Sequence, residues 1–410
     1  MYNINRVIKK LTPHRSAAEL FKYFSDEKEC VFLDSSLVNG LGRYSIIGVR
    51  PYLKLVKDDH GFFINEQKVS ELSFEEYLKK YLSEHKDQNK SGLPMLSGAI
   101  GYFSYEYGRK LMEIPSHKEN LVTIPDAVLV FYDMYIIEDC HEKKTFLVAN
   151  GITEDAEKLI ESVEKRLTEV LLEKEQVADG SFNIEITPNF KKEEYKQAVD
   201  EMIRYIIEGD IYITNMTQQL EVKSNKKPLD VFYDLRENNP SPFGGYMDYG
   251  DFQIVCASPE RFLKMKKGHV NTRPIKGTRK RGETLEEDLL MRNELKNSEK
   301  DKSELLMIVD LERNDLNRVC KPGSVKVTEL FTVEEYATVF HLVSDIEGVL
   351  QENKTIMDLL EATFPGGSIT GAPKYRAMEI IVELENNRRN LYTGSIGYLT
   401  LDGDCVFNIV

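Results

Sequence analysis

The sequence contains a lysine whose amine could act as a nucleophile. Lys276 lies in the basic stretch RPIKGTRKRG, residues 273–282, of a chain whose formal net charge is −14. A free lysine has a pKa of about 10.4, so its amine is mostly protonated at neutral pH. Neighbouring cations in a partly desolvated site would lower that pKa. On an exposed loop, the same lysine would be a solvated charge or would help to bind an anion.

A carboxylate is predicted to lie near this lysine. Glu260, in SPERF, follows a predicted strand over residues 253–257, and the run 250–275 predicts a hairpin with its turn at Lys267–Gly268. Because the two ends of a hairpin lie side by side, Glu260 and Lys276 should be neighbours. The pair would be either a nucleophile with its general acid and base or an ordinary ion pair.

Two acidic residues suggest a metal site. Asp301 and Glu304 are spaced i and i+3 in KDKSELLMIVDLERND, within a helical zone predicted from Leu285 to about Asn314. Both carboxylates would project from one face of the helix. Hard oxygen donors of this kind bind Mg²⁺ together with water and substrate oxygens. The alternative is a solvated acidic pair on an exposed helix edge.

Three further stretches carry weaker signals. FPGGSITGAPKYRAMEII is a glycine-rich loop that runs into a helix, with Pro373 in its first turn; helix N-terminal amides bind anions, and Lys374 adds charge. His341, in FHLVSDIEG, and Tyr398, in GSIGYLTL, are interpreted from the residues alone as a core histidine and a strand aromatic. The Walker, HExxH and GxGxxG motifs are absent from the sequence. The residues alone indicate an anion-binding enzyme with a carboxylate metal site.

The elements that position these residues fall into three parts. Residues 1–150 alternate short β-rich runs with turns, which predicts a mostly antiparallel sheet. Residues 151–190 predict an amphipathic helix capped by Thr153 and then a polar linker. Residues 191–410 begin with a second amphipathic helix that ends at Gly209 and contain all the candidate residues named above.

Composition limits the classes of function. The 410 residues are 41% hydrophobic and 30% charged, which is typical of a globular protein. Because Asp and Glu number 68 against 54 Lys and Arg, a nucleic-acid partner is not expected. Five scattered cysteines fit a reducing cytoplasm, and no apolar run is long enough to span a bilayer. We therefore expect a cytoplasmic protein with no membrane partner.

In order, the stretches SPERF, RPIKGTRKRG, SELLMIVDLERNDL, HLVSDIEG, FPGGSITGAPKYRAMEII and GSIGYL resemble the chorismate-utilising enzymes. This family includes the anthranilate, aminodeoxychorismate, isochorismate and salicylate synthases. The resemblance covers residues 190–410 and extends to residues 1–150 through FLDSSLVNGLGRYSIIGVRP and SGAIGYFSYEYGR. It implies an α+β fold in which two largely antiparallel β-sheets pack as a sandwich with helices outside. PIKGT is common in aminodeoxychorismate synthase component I, whereas anthranilate synthases typically carry PIAGT.

The resemblance also implies a reaction for folate biosynthesis. Lys276 would attack C2 of chorismate as the 4-hydroxyl leaves, and ammonia from a glutamine amidotransferase subunit would then add at C4 to give 4-amino-4-deoxychorismate. Glu260 would be the acid and base. Glu304 would bind Mg²⁺, with Asp301 as a weaker ligand. The implied substrate pocket contains Thr278, His341, Thr370, Gly371 and Tyr398. Anthranilate synthase component I and a non-catalytic chorismate-binding module remain as alternatives.

Two departures from the family pattern affect these expectations. Ile213 stands where the amine-using branches usually carry Gln and where isochorismate and salicylate synthases carry a water-activating Lys, which counts against the latter two reactions. The sequence ends at DGDCVFNIV, where the family continues with segments that bind a substrate carboxylate and complete the Mg²⁺ site. From these absences we expect weak or no turnover by a polypeptide of 410 residues.

Overall fold

The computed structural model describes residues 5–168 and 184–410. The described helices, in chain order, are α1 (Ala17–Phe21), α2 (Phe74–Glu84), α3 (Tyr105–Leu111), α4 (Ala156–Thr168), α5 (Lys192–Glu208), α6 (Pro228–Asn238), α7 (Leu285–Asn297), α8 (Glu299–Asn317), α9 (Ile356–Thr363) and α10 (Lys374–Leu384), with a 3-10 turn at Gly367–Ile369. The described strands are β1 (Val7–Lys10), β2 (Val31–Asp34), β3 (Tyr44–Asp58), β4 (Gly61–Ile64), β5 (Gln67–Val69), β6 (Gly98–Phe103), β7 (Ala127–Asp139), β8 (Lys144–Ala149), β9 (Glu185–Pro188), β10 (Ile213–Thr214), β11 (Leu220–Lys223), β12 (Phe243–Asp248), β13 (Gln253–Ser258), β14 (Arg261–Lys266), β15 (His269–Arg273), β16 (Ile275–Lys280), β17 (Lys326–Glu335), β18 (Val339–Val349), β19 (Gly371–Ala372), β20 (Ser395–Thr400) and β21 (Cys405–Asn408).

Antiparallel pairing joins most of these strands into one branched sheet. Its central order runs β2, β3, β7, β6, β20, β21, β14, β15 and β18. The pairs β2–β12 and β6–β20 link strands from the first part of the chain to strands from the last part. Together with the flanking helices, this confirms the predicted α+β class with largely antiparallel strands. The division into 1–150, 151–190 and 191–410 stays a prediction.

Strand β7 shows why helices cover the outside of the sheet. All of its residues are buried, and successive side chains point to opposite faces of the strand. One set, including Val128 and Val130, packs in an interior cluster with Met247 of β12. The other set, including Leu129 and Phe131, packs in a cluster with apolar residues of α2, α8, α9 and α10. Both faces of the strand are therefore hydrophobic.

The helical zone predicted from Leu285 to about Asn314 is confirmed, and it consists of two helices, α7 and α8. Ser298 ends α7, and its hydroxyl accepts a hydrogen bond from the Asp301 amide at the start of α8. A serine that caps a new helix competes with continuation of the preceding one.

The start of α4 also differs from the prediction. The hydroxyl of Thr153 donates to Asp133 at 2.5 Å, and α4 is capped two residues later, where Asp155 accepts from the Lys158 amide at 3.2 Å. Val170 and Leu171, two apolar residues of the amphipathic pattern that predicts this helix, lie outside the described residues. The described part of the predicted linker contains β9, which pairs with β11.

Two local predictions in the last part of the chain are confirmed. Helix α5 ends at Gly209, whose φ of 87° is the left-handed conformation that glycine adopts without steric cost. The β14–β15 hairpin turns at Lys267 and Gly268, which both have positive φ. Within the described ranges, no helix combines the length and apolar character that crossing a bilayer requires.

Candidate active site

Glu260 and Lys276 lie at adjoining ends of the hairpin, as its length predicts. Glu260 stands between β13 and β14, and Lys276 is the second residue of β16. The Ile275 amide donates a hydrogen bond of 3.2 Å to Glu260 Oε1. Because Ile275 directly precedes Lys276, this contact brings the carboxyl and the amine into one half-buried site.

The amine of Lys276 lies in a desolvated environment. Burial lowers the pKa of Lys276, because the charged ammonium loses hydration there. The carboxylates of Glu260, Glu304 and Glu312 oppose this effect and favour the ammonium. Burial is the largest influence, so a greater fraction of the amine is neutral than in a free lysine.

The hypothesis that neighbouring cations lower this pKa is wrong. Arg273 donates to Asp345 at 2.5 Å, Arg279 donates to Glu294 at 2.7 Å, and Arg281 donates to Asp288 at 2.6 Å. Each guanidinium is therefore compensated by a carboxylate from elsewhere in the chain. Their charges stabilise the β16 region instead of repelling the ammonium.

Glu260 is suited to hold a proton. Burial raises the pKa of its carboxyl above the ordinary value, while the Ser368 hydroxyl, the Ile275 amide and the Lys276 ammonium partly oppose the rise. A carboxylic acid beside a partly neutral amine can donate a proton to a leaving group and later remove one. The pair therefore has the chemistry of a nucleophile with an adjacent acid and base.

Helix α8 contributes a buried carboxyl that the sequence analysis missed. Glu312 is 7% exposed and accepts a hydrogen bond of 2.9 Å from the Thr272 hydroxyl. Burial raises the pKa of Glu312 to about 8, and the nearby charge of Glu260 adds to the rise. Glu304 and Glu312 are eight residues apart, a spacing that places both on one helix face. This spacing is the sequence signal from which Glu312 could have been predicted to face the same site as Glu304.

Asp301 and Glu304 have different environments. Asp301 is buried, accepts from Arg279 at 3.0 Å and packs against Gly277, where a Cβ atom would lie 2.8 Å from the aspartate Cβ. Glu304 is 31% exposed, and its nearest cation is Lys300 at 3.8 Å. Of the two carboxylates, only that of Glu304 is open to a further ligand.

The oxygen donors at this site suit one mode of Mg²⁺ binding. Within residues 5–168 and 184–410, no three His, Cys, Asp or Glu side chains are grouped to hold a metal ion. Mg²⁺ often takes only one or two carboxylates and completes its shell with water and substrate oxygens. The oxygen donor of Glu304 fits this mode of binding, whereas Asp301 is engaged by Arg279.

Thr278 and His341 form a pair next to Lys276. They face each other in the β16–β18 register, and Thr278 Oγ1 lies 3.0 Å from His341 Nδ1. Burial lowers the pKa of His341, so the imidazole is neutral at pH 7. The structure thus brings these two predicted pocket residues to the Lys276 end of β16.

The loop before α10 brings Thr370 and Gly371 towards the same region. Ser368, whose hydroxyl adjoins Glu260, lies in this loop. The Thr370 hydroxyl donates to the Gly366 carbonyl at 2.9 Å, and Gly371 pairs with Thr214 of β10. Ile213, the residue that departs from the family pattern, pairs with Ala372 in the same two-stranded sheet.

The predicted anion-binding role of Lys374 is wrong. Lys374 is buried, and its Nζ donates to Asp315 at 2.5 Å and to the Thr363 carbonyl at 2.7 Å. The amine is therefore occupied by an internal ion pair that anchors α10 to α8. The Phe364–Gly371 loop is buried throughout, which makes it a packed element of the site.

The structure does not bring Tyr398 to this cluster. Tyr398 lies in β20 and lines a separate cavity of about 310 Å³ together with Asp34 and Ser35 of the first part of the chain. Burial raises the pKa of its hydroxyl well above the ordinary range. Its predicted contact with substrate stays a prediction without geometric support.

Comparison with known proteins matches the sequence to one family. The family described as chorismate binding enzyme matches residues 29–410, which include the whole Glu260–Lys276 cluster. The chain belongs to the chorismate-binding enzyme family. As a member, it is an enzyme that acts on chorismate.

Relatives of this chorismate-binding enzyme carry two different names. It is 37% identical to anthranilate synthase component 1 of Acetivibrio thermocellus, over 94% of this chain and 82% of the relative. It is 39% identical to aminodeoxychorismate synthase component 1 of Bacillus subtilis, over 90% and 80% of the two chains. Anthranilate synthase component I from Streptococcus pneumoniae has the same fold, with a TM-score of 0.80 and 31% identity over 91% of this chain and 84% of that one. The relatives thus establish the substrate and leave two products to distinguish.

Proposed function

We propose that this enzyme is aminodeoxychorismate synthase component I, which converts chorismate and ammonia into 4-amino-4-deoxychorismate for para-aminobenzoate and folate biosynthesis. The observation that carries the proposal is Lys276, a partly desolvated amine beside the carboxyl of Glu260, whose pKa burial raises. A nucleophilic lysine is useful only where the reaction passes through a covalent adduct. An alanine at this position, as in PIAGT, could not form one.

The residues support a balanced two-step reaction. The neutral amine of Lys276 bonds to C2 of chorismate, the ring double bonds shift, and the C4–O bond breaks. Glu260 gives its proton to the departing hydroxyl, which leaves as water, and takes a proton from the new ammonium. Ammonia then bonds to C4, the ring double bonds shift back, and the C2–N bond to Lys276 breaks. Glu260 gives a proton to the departing lysine nitrogen and takes one from the new C4 ammonium, so both residues regain their starting states.

The surrounding residues bind and orient the substrate in this proposal. Thr278 and His341 offer hydroxyl and imidazole groups at the Lys276 end of β16. Mg²⁺, when bound, would neutralise the ring carboxylate of chorismate, with Glu304 as its protein ligand. We further propose that ammonia comes from a glutamine amidotransferase subunit, because the relatives carry the name component 1.

Anthranilate synthase component I is the second candidate. The relative from Acetivibrio thermocellus and the solved structure from Streptococcus pneumoniae both carry that name. The two candidates differ in product, since anthranilate synthase releases anthranilate and pyruvate. Product analysis with chorismate, Mg²⁺ and ammonium distinguishes them, and accumulation of anthranilate would favour the second candidate.

Intact mass spectrometry tests the nucleophile directly. The protein is incubated with chorismate and Mg²⁺ but without ammonia, and wild type is compared with Lys276→Ala and with Lys280→Ala, an exposed lysine of the same strand. We expect an added mass equal to chorismate less one water in wild type and Lys280→Ala. The Lys276→Ala variant should lack it, and equal adduct in all three proteins would refute the proposal.

A further inference from the structure

A β-bulge places three cations on the outer face of β14. Leu263 and Met265 face the core, and strict alternation would turn Arg261 towards the core as well. The register of β14 shifts between Arg261 and Lys264, so Phe262 joins Leu263 in the core. Arg261 consequently lies on the outer face with Lys264 and Lys266, since a bulge re-aims the side chains that precede it.

These cations line a cavity of about 400 Å³ over β14, β15, β17 and β18. Its charged lining consists of four cationic side chains and two carboxylates, Arg261, Lys264, Lys266, Lys326, Asp345 and Glu347. On a chain of net charge −14, this positive excess is a local exception. A concave surface with an excess of one sign of charge concentrates ligands of the opposite sign.

The charge of Arg261 is incompletely compensated. Its side chain is 9% exposed and its Nη2 donates to Asn271, but its Nε is buried with no hydrogen-bond partner among the described residues. The nearest carboxylate, that of Asp345, lies 3.5 Å away and is held more closely by Arg273 at 2.5 Å. Arg261 therefore shares its carboxylate partner with Arg273, and its Nε donor stays unpaired among the described residues.

Lys264 and Lys266 are exposed cations beside Arg261. Desolvation and the charges of Arg261 and Lys266 lower the pKa of Lys264, whereas Asp345 and Asp404 partly oppose this effect. Within the described part of the chain, no carboxylate forms an ion pair with Lys264 or Lys266. An anion between these cations would relieve their mutual repulsion.

The cavity is separate from the Lys276 cluster. In β15, the Thr272 side chain contacts Glu312 on the inner face, whereas the neighbouring Asn271 lines the cavity on the outer face. Arg261, Lys264 and Lys266 also border the Tyr398 cavity, but Lys326 lines only the cavity over β17 and β18. Lys326 therefore distinguishes the two sides.

We propose that this cavity binds the phosphate group of a small molecule. A phosphate with a charge of about −2 matches the positive excess of the lining, and its oxygens accept the planar donors of Arg261 together with the amines of Lys264 and Lys266. The cavity volume lies within the range of small-molecule sites, about 300–1,000 Å³. The assignment is independent of which product the Lys276 cluster forms.

Calorimetric titration of the purified chain with inorganic phosphate at low ionic strength tests the proposal. We expect saturable binding that weakens about ten-fold in Lys264→Gln and in Lys326→Gln, since each variant removes one positive charge from the cavity lining. Lys267→Gln, in the adjacent turn and outside the cavity lining, is the matched control and should bind as wild type does.

Several outcomes would overturn the proposal. These are absence of saturable binding in wild type, equal weakening in Lys267→Gln, and tighter binding of malonate than of phosphate, which would indicate a carboxylate ligand. An unchanged Lys326→Gln beside a weakened Lys264→Gln would place the anion in the Tyr398 cavity. Loss of binding in Lys276→Ala would place it in the reaction cluster.

Discussion

The amide of Ile275 donates a hydrogen bond of 3.2 Å to the carboxylate of Glu260. This contact ties the β13–β14 connection to the start of β16, so the carboxyl is held beside the residue that precedes Lys276. The bond also favours the ionised carboxylate, against the burial that favours the acid. Glu260 is thereby positioned and kept able to give and take a proton.

Replacing Glu260 tests its role as acid and base. Glu260→Gln keeps the shape and a hydrogen-bond acceptor for Ile275, but it cannot donate a proton to the departing hydroxyl. We expect adduct formation on Lys276 to slow by about 10²–10⁴-fold. Chorismate affinity should change little, as measured by titration, while mass spectrometry follows the adduct. Glu237→Gln, on an exposed helix surface, should match wild type in both measurements. Normal adduct formation in Glu260→Gln would contradict the assignment.

Asp301 and Glu304 should respond differently to removal of their charge. Asp301→Asn breaks the ion pair with Arg279 and should lower the melting temperature, while Mg²⁺ still strengthens chorismate binding. Glu304→Gln removes the open carboxylate and should abolish most of that Mg²⁺ effect, with little change in melting temperature. Chorismate titrations with and without Mg²⁺, together with thermal unfolding, measure both effects. Glu299→Gln, an exposed neighbour, is the control. A greater loss of Mg²⁺ dependence in Asp301→Asn would reverse the assignment.

Local signals explain which features could be predicted from the sequence. The β14–β15 turn, the end of α5 at Gly209 and the proximity of Glu260 to Lys276 depend on residues within one hairpin or helix. Turn chemistry and side-chain periodicity are sufficient for such features. The break at Ser298 was missed because a serine within a helical pattern is compatible with either continuation or capping.

Other features depend on contacts between distant residues. Lys374 is neutralised by Asp315, and Arg273 by Asp345, through packing that no local pattern specifies. The separation of Tyr398 from Lys276 likewise follows from the strand order of the sheet. The sequence motifs therefore predicted the type of site more reliably than they predicted which carboxylate neutralises each cation.

The close packing of Gly371 against β10 predicts a large effect of a single methyl group. A Cβ atom at Gly371 would lie 2.2 Å from the Ile213 carbonyl oxygen and 2.7 Å from the Ala377 Cβ. Gly371→Ala should therefore lower the free energy of unfolding by about 1–3 kcal/mol, as overpacking does. Gly40→Ala is the matched control, because its Cβ would meet no atom within 4 Å. Urea denaturation measures the stability of both variants. Equal midpoints would show that the β10–β19 contact accommodates the extra methyl group with no loss of stability.

Glu312 predicts a pH-dependent stability with a definite sign. A glutamate in the unfolded chain titrates near about 4.3, whereas Glu312 in the folded protein titrates at about 8. Between these values, the folded protein holds a proton that the unfolded chain has released. The folded state then binds more protons than the unfolded chain. The contribution of Glu312 to the free energy of unfolding therefore decreases as pH rises from about 4.3, and the decrease is complete above pH 8.

Glu312→Gln removes this titration and retains a group that can accept from Thr272. The free energy of unfolding of the variant, relative to wild type, should therefore rise between pH 5 and pH 9 by several kcal/mol, on the order of 3–5 from the size of the pKa shift. Urea denaturation at intervals across this pH range measures the difference. Glu352→Gln, whose side chain is 90% exposed, should follow the wild-type curve. Parallel curves for wild type and Glu312→Gln would show that the folded protein does not retain the proton, and the site would then carry one more negative charge beside Lys276.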